Sequence, residues 1–148
     1  MRDDIKNLYT NLHTLLKQKL KLLNNFYLSE IDKIHYIQSD NLEKYTDLFR
    51  SDNYYIEEID ALDYSISEVK YMLSRALGIE KDDFLHFTKT ICEDNQKNPA
   101  YNILHQTIML IKSNEVLKIV KESLQNTDKN IKELNDLYFY ELSDFKDL

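Results

Sequence analysis

The stretch that decides the fold is LLKQKLKLLNNFYLSEIDKI, residues 15–34. Its apolar side chains recur in steps of three and four positions, and the same spacing reaches back to Ile5 and forward to Ile37. This period places the apolar side chains along one face of an α-helix. We therefore predict a first helix that begins at Asp3 and ends at the polar sequence around Ser39. At about 34 residues, this helix would be ~50 Å long.

A second long helix is predicted directly after this polar sequence. Asp40 is the expected N-cap, because its carboxylate can accept a hydrogen bond from a backbone N–H of the first turn. Apolar residues then recur at helical spacing from Leu42 to Leu77. Gly78 is expected just beyond the helix end, since glycine adopts a left-handed backbone without strain. Asp52 falls where this stripe requires an apolar residue, which indicates a kink or a polar layer.

A short helix and a third long helix complete the predicted architecture. The short helix fits residues 82–92, is capped by Asp82 or Asp83, and buries four apolar side chains: Phe84, Leu85, Phe87 and Ile91. Pro99 fits the first turn of the last long helix. The chain has one glycine and one proline, and sheet proteins need more of both for their turns. The sequence therefore predicts an all-α fold, an antiparallel three-long-helix bundle or coiled coil with one short extra helix between helices two and three.

The charge and hydropathy of the chain exclude several classes of partner. The net charge is −7, and an acidic surface repels phosphate backbones, so we expect no nucleic-acid partner. We interpret the lysine run Lys17, Lys19 and Lys21 as a solvated helix face. The sequence contains neither an apolar run of transmembrane length nor the apolar core of a signal peptide. The single cysteine, Cys92, is compatible with a reducing cytoplasm, where we expect the protein to reside.

Catalytic and metal-binding patterns are weak in this sequence. Three pairs of residues come nearest to one: Asp32 with His35, Asp83 with His86, and His13 with Lys17. The first two pairs use Asp where di-metal bundles use Glu, and the third lacks the lysine spacing and the glycine of a histidine phosphotransfer site. Cys92 ends an apolar helix face, so we expect it in the core rather than as a nucleophile. We predict no enzymatic activity, no cofactor, no metal site and no small-molecule substrate.

The C-terminal stretch NDLYFYELSDF, residues 135–145, places four aromatic side chains in an acidic terminus. Ordering about 11 residues opposes folding by roughly 11–20 kcal/mol, whereas burying four aromatic side chains contributes about 6–12 kcal/mol. We therefore divide the chain into a helical-bundle domain, residues 1–134, and an aromatic, mobile tail, residues 135–148, that folds against a partner. The alternative is a helix end that folds back on its own bundle. Elsewhere, Tyr45 and Tyr71 are expected at the edge of the core.

Several motifs together match one family pattern. The Leu-rich first helix is followed by SDNLEKY at the start of the second, which ends in MLSRALGIEKDDF. The last helix contains SNEVL, with Asn114, Glu115 and Leu117, and is followed by NDLYFYEL, with Tyr138 but no glycine. In these features, residues 12 to about 135 resemble flagellar export chaperones of the FlgN type. The related chaperones of the FliT type share the helical-hairpin pattern.

The resemblance implies a cytoplasmic bacterial chaperone that catalyses no reaction. Such a chaperone holds the C-terminal amphipathic segment of hook–filament junction (hook-associated) proteins, prevents their premature assembly, and presents them to the membrane protein of the export gate. Homo-oligomerisation is compatible with this role. We assign client binding to Ile119, Leu124, Ile131 and Leu134, and docking to the export gate or another partner to Leu137, Tyr138, Phe139 and Tyr140. The alternative function is a non-flagellar helical adaptor or a structural coiled-coil protein.

Overall fold

The computed structural model describes the backbone of residues 1–146 and the side chains of residues 1–126, 129 and 133. The described backbone is helical throughout, apart from short connections, and contains no strand. Its four helices are α1 (Asp3–Gln38), α2 (Leu42–Leu77), α3 (Phe84–Asp94) and α4 (Asn102–Lys146). Single 3-10 turns, Lys81–Asp83 and Pro99–Tyr101, precede α3 and α4. The predicted all-α class is confirmed, and the four helices pack against one another.

The connection between α1 and α2 is capped by a different residue from the one that the sequence suggested. Asn41, not Asp40, is the N-cap of α2, and its side chain accepts a hydrogen bond of 3.3 Å from the backbone N–H of Lys44. Asp40 has a left-handed backbone with φ of 57°, a conformation that Asp tolerates better than most residues. The prediction of Asp40 as the cap was wrong, because this residue makes the reversal of direction that precedes the cap.

The end of α2 confirms the role predicted for Gly78. Its φ of 70° lies in the left-handed region, and its N–H bonds to the carbonyl oxygen of Arg75. The next residue, Ile79, donates its N–H to the carbonyl of Ser74. These two bonds satisfy carbonyls at the helix end, and the backbone conformation they require is one that glycine adopts without a Cβ clash.

Helices α1 and α2 run in opposite directions, as two ion pairs between them show. Near the middle of α1, the ammonium of Lys19 lies 2.5 Å from the carboxylate of Asp63. Further along α1, Lys33 contacts Asp52, which comes earlier in α2. Later residues of α1 therefore meet earlier residues of α2. The burial of Lys19 in this pair also corrects the expectation that it lies on a solvated face.

The hydrophobic core lies among the first half of α1, the second half of α2, α3 and the first turns of α4. Its buried members are Ile5, Tyr9, Leu12, Leu16, Ile66, Val69, Leu73, Phe84, Cys92, Leu104, Ile108 and Ile111. The expectation that Cys92 belongs to the core is confirmed. Asn114 of α4 joins this core to α1, because its side-chain amide donates to the carbonyl of Leu16 at 3.1 Å. One apolar centre therefore holds all four helices.

The short helix α3 is fixed to α1 by Tyr9. The Tyr9 hydroxyl is 2.9 Å from the Thr88 hydroxyl, and its ring stacks on Phe84 with centroids 5.9 Å apart. Of the four side chains predicted to be buried in α3, Phe84 is buried and the other three are half-buried. Asp83 occupies the N-cap position, but its side chain makes no capping bond, and Asp82 lies within the 3-10 turn.

Beyond the core, the interior of the α1–α2 pair contains buried charged side chains as well as apolar ones such as Phe26 and Ile59. Lys33 is fully buried, with its ammonium 2.8 Å from Glu30 and in contact with the Asp52 carboxylate. The same ammonium lies 4.2 Å from the centroid of the Phe49 ring. We call Glu30, Lys33 and Asp52 the polar layer. It confirms the polar-layer interpretation of Asp52, and α2 continues through it without a break in the helix.

The polar layer displaces the apolar residues that the periodicity placed inside α1. Ile31 and Ile34 are both exposed, whereas Glu30 and Lys33, one position earlier in each case, are buried. Since one position along a helix corresponds to a rotation of about 100°, the buried face differs from the predicted stripe by about one residue. The prediction that Ile31 and Ile34 face the core was therefore wrong in this half of α1.

Candidate functional site

Four apolar side chains on the second half of α1 lie exposed on one helix face. Tyr27, Leu28, Ile31 and Ile34 are between 44% and 57% exposed. Their spacing of one, four and seven residues from Tyr27 places them side by side on α1. We call these four residues the apolar strip. An exposed group of large apolar residues at helical spacing fits the apolar face of another helix.

Helix α4 contributes further exposed apolar side chains at its centre. Val116 and Ile119 are three residues apart and are 62% and 68% exposed. Leu124, another of the residues assigned to client binding, is half-buried. The side chains of the other assigned residues lie outside the described residues: Ile131, Leu134, Leu137, Tyr138, Phe139 and Tyr140. The structure therefore shows one assigned residue, Ile119, in an accessible position.

A second exposed group lies on α2. Tyr64, Tyr71 and Met72 are exposed and line a shallow pocket with Glu68 and Lys81. A hydrogen bond with the Glu68 carboxylate raises the pKa of the Tyr64 hydroxyl. Tyr71 was expected at the edge of the core and is exposed instead, with the Arg75 guanidinium over its ring.

Tyr45 behaves differently from these tyrosines. It is buried, and its ring meets Phe49 edge-on at 5.0 Å, so the expectation of a core position is correct for this residue. Among the tyrosines of α2, Tyr45 is buried, Tyr55 is half-buried, and Tyr54, Tyr64 and Tyr71 are exposed. The exposed ones supply contact area at low entropic cost, as tyrosine does at protein interfaces.

Cys92 and His105 line the same cavity, between α3 and α4. Burial and the neighbouring Glu93 carboxylate raise the pKa of the Cys92 thiol. Nucleophilic cysteines have a lowered pKa, which supplies the reactive thiolate. The direction of the Cys92 shift keeps the thiol protonated, so this arrangement provides no activated nucleophile.

The histidine and aspartate pairs noted in the sequence do not form a metal-binding group within the part of the chain that the structure describes. No set of three or more His, Cys, Asp or Glu side chains there is placed to hold an ion. Over the same described residues, no helix carries an apolar segment of the length needed to cross a bilayer.

No family model, curated protein sequence or solved structure matches this chain in the comparisons with known proteins.

Sequence reasoning missed the exposure of the apolar strip, which depends on which face of α1 turns inward in its second half. Glu30 and Lys33 carry a usable signal, because they are three residues apart and follow Phe26 at four and seven positions. A charged pair on the same helix face as a buried aromatic residue indicates an alternative, polar stripe competing with the apolar one.

Proposed function

We propose that this protein is a flagellar export chaperone of the FlgN type. In this proposal it binds the C-terminal amphipathic segment of hook–filament junction proteins in the cytoplasm, prevents their premature assembly, and presents them to the export gate. The observation that carries the proposal is the exposure of apolar residues at helical spacing on two helices, the apolar strip of α1 and Val116 with Ile119 on α4. Helix-in-groove binding requires such a surface.

The proposal assigns α1, α2 and α4 to an antiparallel bundle of three long helices. Support comes from the Lys33–Asp52 contact between α1 and α2 and from the bond between Asn114 and Leu16, which joins α4 to α1. Extended, closely packed helices present long grooves, and an amphipathic client helix can lie along one of them. No catalytic group is required, because the client is bound and not altered.

The apolar strip alone is too small to hold a client. Its four side chains are already about half-buried, so full burial contributes roughly 3–6 kcal/mol, half of the usual ~1.5–3 kcal/mol each. Association opposes this with about 4–15 kcal/mol of lost rotational and translational freedom. Additional contacts are therefore needed. We assign them to Ile119 and its neighbours on α4, and to the aromatic sequence of residues 135–145.

A change at Ile119 tests whether α4 contacts the client. Ile119→Asp is expected to weaken binding of the hook-associated client segment by about 30-fold or more, as loss of a central apolar contact does. Isothermal titration calorimetry with the C-terminal segment of a hook-associated protein from the source organism measures the affinity. The matched control is Met109→Asp on the same helix, since Met109 is 69% exposed and Ile119 is 68% exposed. Equal losses in the two variants would contradict the assigned client contact.

Truncation tests the role assigned to the C-terminal sequence. A chain that ends at residue 134 is expected to keep its melting temperature within a few degrees and to bind the client at least about tenfold more weakly. Thermal unfolding by circular dichroism and the same calorimetry provide both measurements. A large drop in melting temperature would show that residues 135–148 stabilise the bundle itself, which is the fold-back alternative.

The alternative function is a non-flagellar helical adaptor or structural coiled-coil protein. The exposed Tyr64, Tyr71 and Met72 on α2 favour it, because they offer a second interaction surface separate from the apolar strip. Capture of the full-length chain with partners from the source organism distinguishes the two. Hook-associated proteins are expected among the captured proteins only if the chaperone proposal is correct.

A further inference from the structure

A cavity of about 400 Å³ between α1, α2 and α4 carries an excess of positive charge in a protein whose net charge is −7. Its charged lining residues are four lysines and two acids: Lys19, Lys70, Lys81, Lys118, Asp63 and Glu115. Apolar residues of the core form the remainder of the wall, including Leu16 and Ile111. The lysines come from three helices and the turn before α3, so the fold and not a local charge run brings them together.

Most of these lysines lack a carboxylate partner within the described part of the chain. Lys19 forms the ion pair with Asp63. Lys81 donates to the hydroxyl of Ser67 at 2.7 Å, a neutral acceptor. Neither Lys70 nor Lys118 takes part in any ion pair among the described residues. Such ammonium groups, grouped around a concave site, attract an anion.

The electrostatic environment of Lys70 agrees with this charge excess. Burial lowers the pKa of its ammonium, and the nearby Lys19 and Lys81 cations lower it further, partly opposed by Glu115. A half-buried lysine among like charges is disfavoured in its charged form. An anion bound in the cavity would reverse this effect by supplying the missing countercharge.

Asn114 lies at the wall of the cavity, where it holds α4 against α1. Its side-chain amide nitrogen donates to the carbonyl oxygens of Leu16 and Leu110, at 3.1 Å and 2.9 Å. These two bonds fix which end of the amide is the oxygen. The oxygen is buried and has no donor among the described residues. Because this oxygen is closed to solvent, a ligand in the cavity does not reach it, and recognition of an anion falls to the lysines.

We propose that this cavity binds an oxyanion, of which inorganic phosphate is the simplest example. The phosphate oxygens accept hydrogen bonds from the ammonium groups of Lys70, Lys81 and Lys118. Such charge-assisted bonds are the stronger class of hydrogen bond. The cavity also has room for a small phosphorylated molecule.

The test measures anion binding by the full-length protein in chloride buffer at constant ionic strength. Calorimetric titrations with inorganic phosphate, glycerol phosphate and sulfate are compared for the wild type, Lys70→Gln and Lys17→Gln. Lys17 is the matched control, because it is an exposed lysine on α1 and its loss changes the net charge equally. Lys70→Gln should fold normally, since the charged form of Lys70 is disfavoured in the native protein.

We expect phosphate or glycerol phosphate to bind the wild type. Tighter binding of the first indicates free phosphate as the ligand, and tighter binding of the second indicates a small phosphorylated molecule. Lys70→Gln should weaken that binding at least about tenfold and Lys17→Gln by no more than about twofold. Sulfate is also an oxyanion and should bind through the same lysines, again more weakly to Lys70→Gln than to the wild type. Absence of binding by any of the three anions, or equal affinity in Lys70→Gln and the wild type, would overturn the proposal. These titrations contain no client segment, so their outcome does not depend on whether the proposed chaperone function is correct.

Discussion

Lys33→Met is expected to lower the free energy of unfolding by about 3–5 kcal/mol, the loss typical when one partner of a buried ion pair is removed. The substitution leaves the carboxylates of Glu30 and Asp52 buried without the ammonium that contacts both. It also removes a cation from the face of the Phe49 ring. Methionine has a similar length, so the loss reports mainly on charge and not on a cavity. Urea unfolding followed by far-UV circular dichroism measures the change.

Two further variants separate the effect of losing the buried charge on stability from the effect of changing a lysine to a methionine. Lys21→Met alters an exposed lysine of the same helix and is expected to change stability by less than about 0.5 kcal/mol. Combining Lys33→Met with Glu30→Met and Asp52→Leu removes the buried charges together and should recover much of the loss, because apolar replacements of a whole buried network are tolerated. A loss below about 1 kcal/mol in Lys33→Met would show that the polar layer behaves like a solvent-screened surface pair.

The polar layer also explains where periodicity succeeded and where it failed. Helical spacing correctly predicted the existence of α1 and α2, and Gly78 marked the end of α2, because both signals are local in the chain. Which face of α1 is buried in its second half is not determined by residues that are close in the sequence. It depends on Asp52, which meets Lys33 only after α2 has folded back along α1. Two stripes, one apolar and one polar, were available, and the contact with α2 selected the polar one.

The candidate site shows the same limit. Ile119 was assigned to client binding from its place in the last helix, and its exposure agrees with an interaction role. The apolar strip could not be assigned to an interaction surface, because helical spacing had placed Ile31 and Ile34 on the predicted buried face. The lysine cavity was also beyond sequence reasoning, because Lys19, Lys70 and Lys118 are far apart in the chain and only the packing of three helices brings them together.

The second large effect is expected at Tyr9, which holds α3 against α1. Tyr9→Ala should lower the free energy of unfolding by about 3–5 kcal/mol, the range observed for truncation of a buried aromatic residue. The change removes a ring that is 1% exposed and stacks on Phe84. It also leaves the fully buried Thr88 hydroxyl without its side-chain partner. Urea unfolding gives the stability, and hydrogen exchange of residues 84–94 reports whether α3 opens before the rest of the protein.

Tyr9→Phe isolates the hydroxyl and makes a prediction about pH. Loss of the bond to Thr88 is expected to lower stability by about 1–3 kcal/mol, and Thr88→Val in the same chain should recover part of it. Burial raises the pKa of the Tyr9 hydroxyl above its ordinary value of 10.0. Above that pH the unfolded chain loses the tyrosine proton while the folded protein keeps it, so the wild type loses stability as pH rises. Tyr9→Phe lacks this loss, and its deficit relative to the wild type should narrow in alkaline solution. A deficit that stays constant with pH would contradict the burial of a protonated Tyr9 hydroxyl between α1 and α3.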